Sequence, residues 1–170
     1  SYMIGRAIRW LDSEQNKEMN LAIKSNPSNG IIQLNMSDIH YFYARSLFLT
    51  QYPLPKEQWV STLMDSMWAK RLAFGLQAEA MIALIHHRLG NIQKAEAMLR
   101  SLEERSILDE QGIYWPIQPT SWHDADIETH ALLFAAFREI QPQSNIPNGI
   151  ITYLLRQKQT RDWNTRSATL

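Results

Sequence analysis

Apolar residues recur every three or four positions along nearly the whole chain, and alternating Val/Ile/Thr runs bounded by hairpin turns are missing. That period lays a single apolar stripe along a helix, so the pattern predicts helix throughout. A first helix is expected from about Met3 to Lys17, with Ile4, Ala7, Ile8 and Leu11 on one face. Ser25-Asn26-Pro27-Ser28-Asn29-Gly30 holds the residues that bend and punctuate a chain. Ser37-Asp38 then offers an N-cap for a second helix to about Leu49, with Tyr41, Ala44, Arg45 and Phe48 on one stripe. Pro53-Leu54-Pro55 ends it, because proline lacks an amide donor and disfavours helix in the residue before it, and a third helix runs through Trp59, Leu63 and Met67.

The next pair carries the clearest pattern. Leu76 to Arg88 holds the stripe Leu76-Ala80-Ala83-Leu84, Ile92 to Arg105 holds Ala95-Met98-Leu99-Leu102, and Leu89-Gly90-Asn91 between them supplies a residue tolerant of the left-handed conformation. An antiparallel helical hairpin follows. Gly112-Ile113-Tyr114-Trp115-Pro116 reads as an irregular aromatic and proline-rich loop, and a long helix from about Asp124 to Ile140 is expected to bury Ile127, Ala131, Phe134 and Ala135. Pro142 and Pro147 bracket a turn, Ile150 to Lys158 is helical, and Thr165 is placed as the N-cap of a helix cut short at Leu170. The expectation is one all-α domain, residues 1–170, of about seven or eight helices in antiparallel pairs of about 30 to 45 residues each. Because both ends fall in or beside helices, the chain is expected to be a piece of a larger one.

Composition narrows the function. Lys+Arg and Asp+Glu each number 17 in 170 residues, with no block of one sign, so neither a nucleic-acid groove nor a membrane surface is indicated. Cysteine is absent, which removes disulfides, thiolate metal sites and cysteine nucleophiles. No run approaches the roughly 20 apolar residues of a membrane span.

Three stretches carry a resemblance. Asp126-Ile127-Glu128-Thr129-His130-Ala131-Leu132-Leu133-Phe134-Ala135-Ala136-Phe137 is followed by Ile150-Ile151-Thr152-Tyr153-Leu154-Leu155-Arg156-Gln157-Lys158-Gln159, and then by Asp162-Trp163-Asn164-Thr165-Arg166-Ser167-Ala168-Thr169-Leu170. In order and spacing they resemble the later part of the helical thioester-type domain of alpha-2-macroglobulins. Leu89-Gly90-Asn91 through Ala97, Gly112-Ile113-Tyr114-Trp115 and Ile39-His40-Tyr41-Phe42-Tyr43-Ala44-Arg45-Ser46 are similar to the bacterial members, particularly those of Bacteroidetes. The resemblance implies an α/α toroid of the terpenoid cyclase-like kind, in a periplasmic or envelope-associated endopeptidase inhibitor. It implies neighbouring domains of the same chain as partners, a protease as the inhibited target, and no cofactor. The family's Cys-Gly-Glu-Gln thioester motif lies near the start of the domain, and neither a cysteine nor that tetrapeptide occurs here. This stretch cannot form the thioester bond.

Each candidate for chemistry has a plainer reading beside it. Asp126 and His130 sit one helical turn apart and are the candidate metal ligands, but two are too few for a site. Asp124 and Asp126 equally suit a helix N-terminus, where negative charge complements free amides. Toroidal barrels also house glycosidases, which need an opposed acid pair; Asp124, Asp126 and Glu128 are instead sequence neighbours, with Tyr114, Trp115 and Trp122 as either sugar platforms or core anchors. His86-His87 suits a helix C-terminus. Ser46, Ser61 and Ser167 are nucleophiles only by residue type, without a Gly-x-Ser-x-Gly elbow or a positioned base. Tyr41, Tyr43, Arg45, Trp59 and Trp68 form either a recognition surface or the filling between helices. Ala78 to Leu102 resembles one tetratricopeptide hairpin, which would make a peptide-binding module if it repeated, but no 34-residue period does.

Overall fold

The computed structural model describes residues 2–25, 33–117 and 126–160. Among the described residues it is mostly helical, 71% in seven helices with one small two-stranded sheet, the all-α class that the three-to-four-residue period predicts. The predicted turn at Ser25–Gly30 and the elements placed beyond residue 160 fall largely outside the described residues. Two compact units emerge, Ser1–Ala73 and Phe74–Leu170.

The first unit holds α1 (Tyr2–Ser25), α2 (Met36–Ser46) and α3 (Gln58–Ala69). Helix α1 outruns its expected end by about two turns, because Met19 and Gln15 extend its buried side beyond Ile8. The cap of helix α2 lies two residues before the expected Ser37. Asn35 is the N-cap: its side-chain oxygen accepts from the Asp38 amide at 3.1 Å, while Asp38 Oδ2 accepts from the Asn35 amide at 2.9 Å. This reciprocal capping box satisfies two amides that the helix itself leaves free. The other Asp38 oxygen takes the Gln15 amide group at 2.7 Å, tying α2 to α1. Burial pushes the Asp38 carboxyl above its ordinary range against the lowering effect of these bonds. Helix α2 stops at Ser46, short of Leu49, and gives way to turns before the prolines. Trp59, Leu63 and Met67 are the buried side of α3, as the spacing predicts.

The second unit holds α4 (Leu76–Arg88), α5 (Ile92–Glu104), β1 (Ile107–Asp109), β2 (Gly112–Tyr114), α6 (Asp126–Ile140) and α7 (Ile146–Thr160). Gly90, with φ of 80°, supplies the left-handed residue that closes α4 and lets α5 fold back. Ala95, Met98, Leu99 and Leu102 are all buried, the predicted stripe of α5. Helix α4 is buried at every position from Ala78 through His86, so its predicted stripe is only part of what it covers. Across the hairpin the guanidinium of Arg105 grips the buried Glu79 carboxylate with both amino groups. Arg88 forks onto Glu139 at 2.8 Å through two donors and joins α4 to α6, holding the Glu139 carboxyl below its ordinary range.

Two expectations are corrected here. The segment read as an irregular loop contains β2, which pairs antiparallel with β1 in the register Ile107↔Tyr114, Leu108↔Ile113 and Asp109↔Gly112. Asp109 makes the turn by accepting from the Gln111 amide at 2.7 Å. Gly112, at φ of 118°, lies so close to α7 that a Cβ there would collide with the Gly149 carbonyl and the Tyr153 amide nitrogen. The second correction concerns α6. Its buried face is Thr129, His130, Leu133, Ala136 and Phe137, while Ala131 is exposed and Ile127, Phe134 and Ala135 are half-buried. Pro147 occupies the first turn of α7, where no amide donor is required.

Candidate functional site

The densest polar arrangement in the second unit gathers the end of β2, the first turn of α6 and the middle of α7. Asp126 and His130 do meet: Nδ1 of His130 lies 2.8 Å from both the backbone oxygen and Oδ1 of Asp126. On the far side of the ring, Nε2 accepts the Trp115 backbone N–H at 3.1 Å. An accepting Nε2 places the imidazole proton on Nδ1, where it is directed at Asp126. Oδ2 of the same carboxylate takes the Tyr153 hydroxyl at 2.9 Å. Trp115 completes the set by donating its indole N–H to the Leu102 carbonyl at 2.7 Å, at the last turn of α5.

The rings close over these bonds. His130 is fully buried, with its centroid 4.6 Å from Tyr153 and 5.9 Å from Trp115; Trp115 lies 6.0 Å from Phe137, and Tyr114 stacks on Tyr153 at 4.9 Å. A metal bound at Nε2 would have to displace the Trp115 amide, and one bound at Nδ1 would have to displace its proton from Asp126. Among the described residues no three His, Cys, Asp or Glu side chains converge on a metal position. Glu128 lies on the same helix as Asp126, two residues on, so the pair do not face each other across a substrate space. Trp122, His123 and Asp124 lie outside the described residues.

The serines and the aromatics of the first unit hold structural positions. Ser46 Oγ donates to the Tyr43 carbonyl at 2.6 Å and Ser61 Oγ to the Gln58 carbonyl at 2.9 Å, each bonding back into its own helix. Ser167 lies outside the described residues. Tyr41, Arg45 and Trp59 are buried; Trp59 donates its indole N–H to Asn16 at 3.0 Å, and Arg71 sits 4.4 Å over the Trp68 ring.

Arg45 is the polar centre of the first unit, and sequence reasoning missed its role. Only 1% exposed, it reaches Asp12 through Nε at 2.7 Å and fans its amino groups over the carbonyls of Tyr52, at 3.1 Å, and Pro53, at 2.8 Å. Tyr41 donates its hydroxyl to the same Asp12 oxygen at 2.8 Å, and burial together with that bond raises the phenol above its ordinary range. Beside this cluster an apolar groove of about 220 Å³ opens along α1, lined by Ile4, Ala7, Ile8 and Leu11 from α1 and Ala44 and Phe48 from the α2 side. The apolar face predicted for α1 is therefore only partly covered.

His86 is 1% exposed, and its position near a helix end was legible while its burial was not. Asn91 approaches Nδ1 at 3.4 Å. Burial, and then the charge of Lys94, push the imidazole from 6.5 down to about 4. The unfolded chain binds this proton more readily than the folded one, so the contribution is complete above about pH 6.5 and lost as pH falls toward 4. The gap is worth about 3 kcal/mol. Urea denaturation of His86→Gln should lose that part of the acid slope between pH 7 and 4; parallel curves for the variant and the parent would rule it out.

No known protein family, curated protein or solved structure matches the chain.

Proposed function

We propose that this chain is a non-catalytic helical piece of an alpha-2-macroglobulin-like endopeptidase inhibitor, serving as scaffold and protein-contact surface in a periplasmic or envelope-associated protein. The family part of the reading rests on the resemblance of the segments from Asp126 to Phe137, Ile150 to Gln159 and Asp162 to Leu170. The scaffold part rests on one observation: the imidazole best placed for chemistry spends both ring nitrogens, one on the Trp115 amide and the other on the Asp126 backbone oxygen, and the Asp126 carboxylate accepts the Tyr153 hydroxyl. Groups held in this way join helices rather than receive a substrate. No described helix is long and apolar enough to cross a membrane.

The test uses the product of the full-length gene, mixed with endopeptidases of differing specificity. Hydrolysis of a large protein substrate should slow while hydrolysis of a short peptide continues, because a protein that encloses a protease blocks only what cannot diffuse in. Equal hydrolysis of both substrates with every protease overturns the inhibitor reading. Release of sugar from polysaccharides by the protein, abolished in Asp126→Asn, overturns the scaffold reading.

A further inference from the structure

We draw no further inference here: the strongest candidate, the apolar groove that Ile4, Ala7, Ile8 and Leu11 of α1 form with Ala44 and Phe48 beside Arg45, is an unpartnered apolar surface, and nothing in the structure shows what covers it.

Discussion

Replacing Arg45 with alanine should destabilise the first unit by about 3 kcal/mol, read as a lowered urea midpoint. The guanidinium is 1% exposed and makes every one of its contacts inside the protein. One side of it neutralises Asp12, and the other supplies the donors for two successive carbonyls, Tyr52 and Pro53, at the point where the chain turns toward α3. Pro53 and Pro55 contribute no amide donors of their own, so this turn depends on a side chain to hold it. Truncation therefore leaves a carboxylate without its cation and two carbonyls without donors, and the loss of those partners outweighs the modest net worth of the pair itself. Arg45→Lys should recover less than half of the loss, because an ammonium cannot span Asp12 and both carbonyls. Asp12→Asn, which keeps an acceptor for Tyr41 and Arg45 while removing the charge, should cost about 1 kcal/mol. A lysine variant as stable as the parent would refute the fork as the stabilising element.

The contrast between this cluster and the α4–α5 hairpin explains what could be read from sequence. Helix α5 has one buried stripe and a solvated back, so Ala95, Met98, Leu99 and Leu102 were visible from period alone. Helix α4 is buried over nine consecutive positions, and a helix covered on all sides loses the polar contrast that reveals its orientation. Helix α6 misled for a different reason. His130, counted as polar, is as fully buried as Leu133 and Phe137, so the predicted stripe fell on Ile127, Ala131, Phe134 and Ala135 instead of the face that those three share. A polar residue enters a core when its partners are fixed, and its partners lie 15 residues upstream and 23 residues downstream, at Trp115 and Tyr153. The same distance in sequence hid Arg45 and Asp12, which are 33 apart. Asp126 and His130 were legible as a pair because one helical turn links them. The β-hairpin escaped because its three-residue strands are too short for a period, and only Asp109 and Gly112 marked its turn.

Trp115→Ala should cost the second unit about 3 to 5 kcal/mol, the range for emptying a buried aromatic site. Trp115 is among the largest fully buried side chains described, and it joins three elements that are distant in sequence. Its indole N–H closes the last turn of α5 at Leu102, its ring packs on Phe137 of α6, and its backbone N–H fixes the His130 tautomer. Alanine retains only the last of these. Trp115→Phe keeps most of the ring packing and loses the indole bond to Leu102, whose carbonyl still accepts from the Arg105 amide, so its cost should be about 1 kcal/mol, the net worth of one hydrogen bond. His130→Leu complements this pair of variants: it leaves the ring space filled but removes the acceptor from the Trp115 amide, at an expected cost of about 2 kcal/mol. The double variant Trp115→Phe, His130→Leu should then differ from the sum of the singles, because the two side chains share packing and a hydrogen-bonded neighbour. If Trp115→Ala shifts the urea midpoint by no more than an ordinary surface substitution, the cluster is not what joins these helices, and Asp126 and His130 must be reconsidered as groups held ready for a ligand.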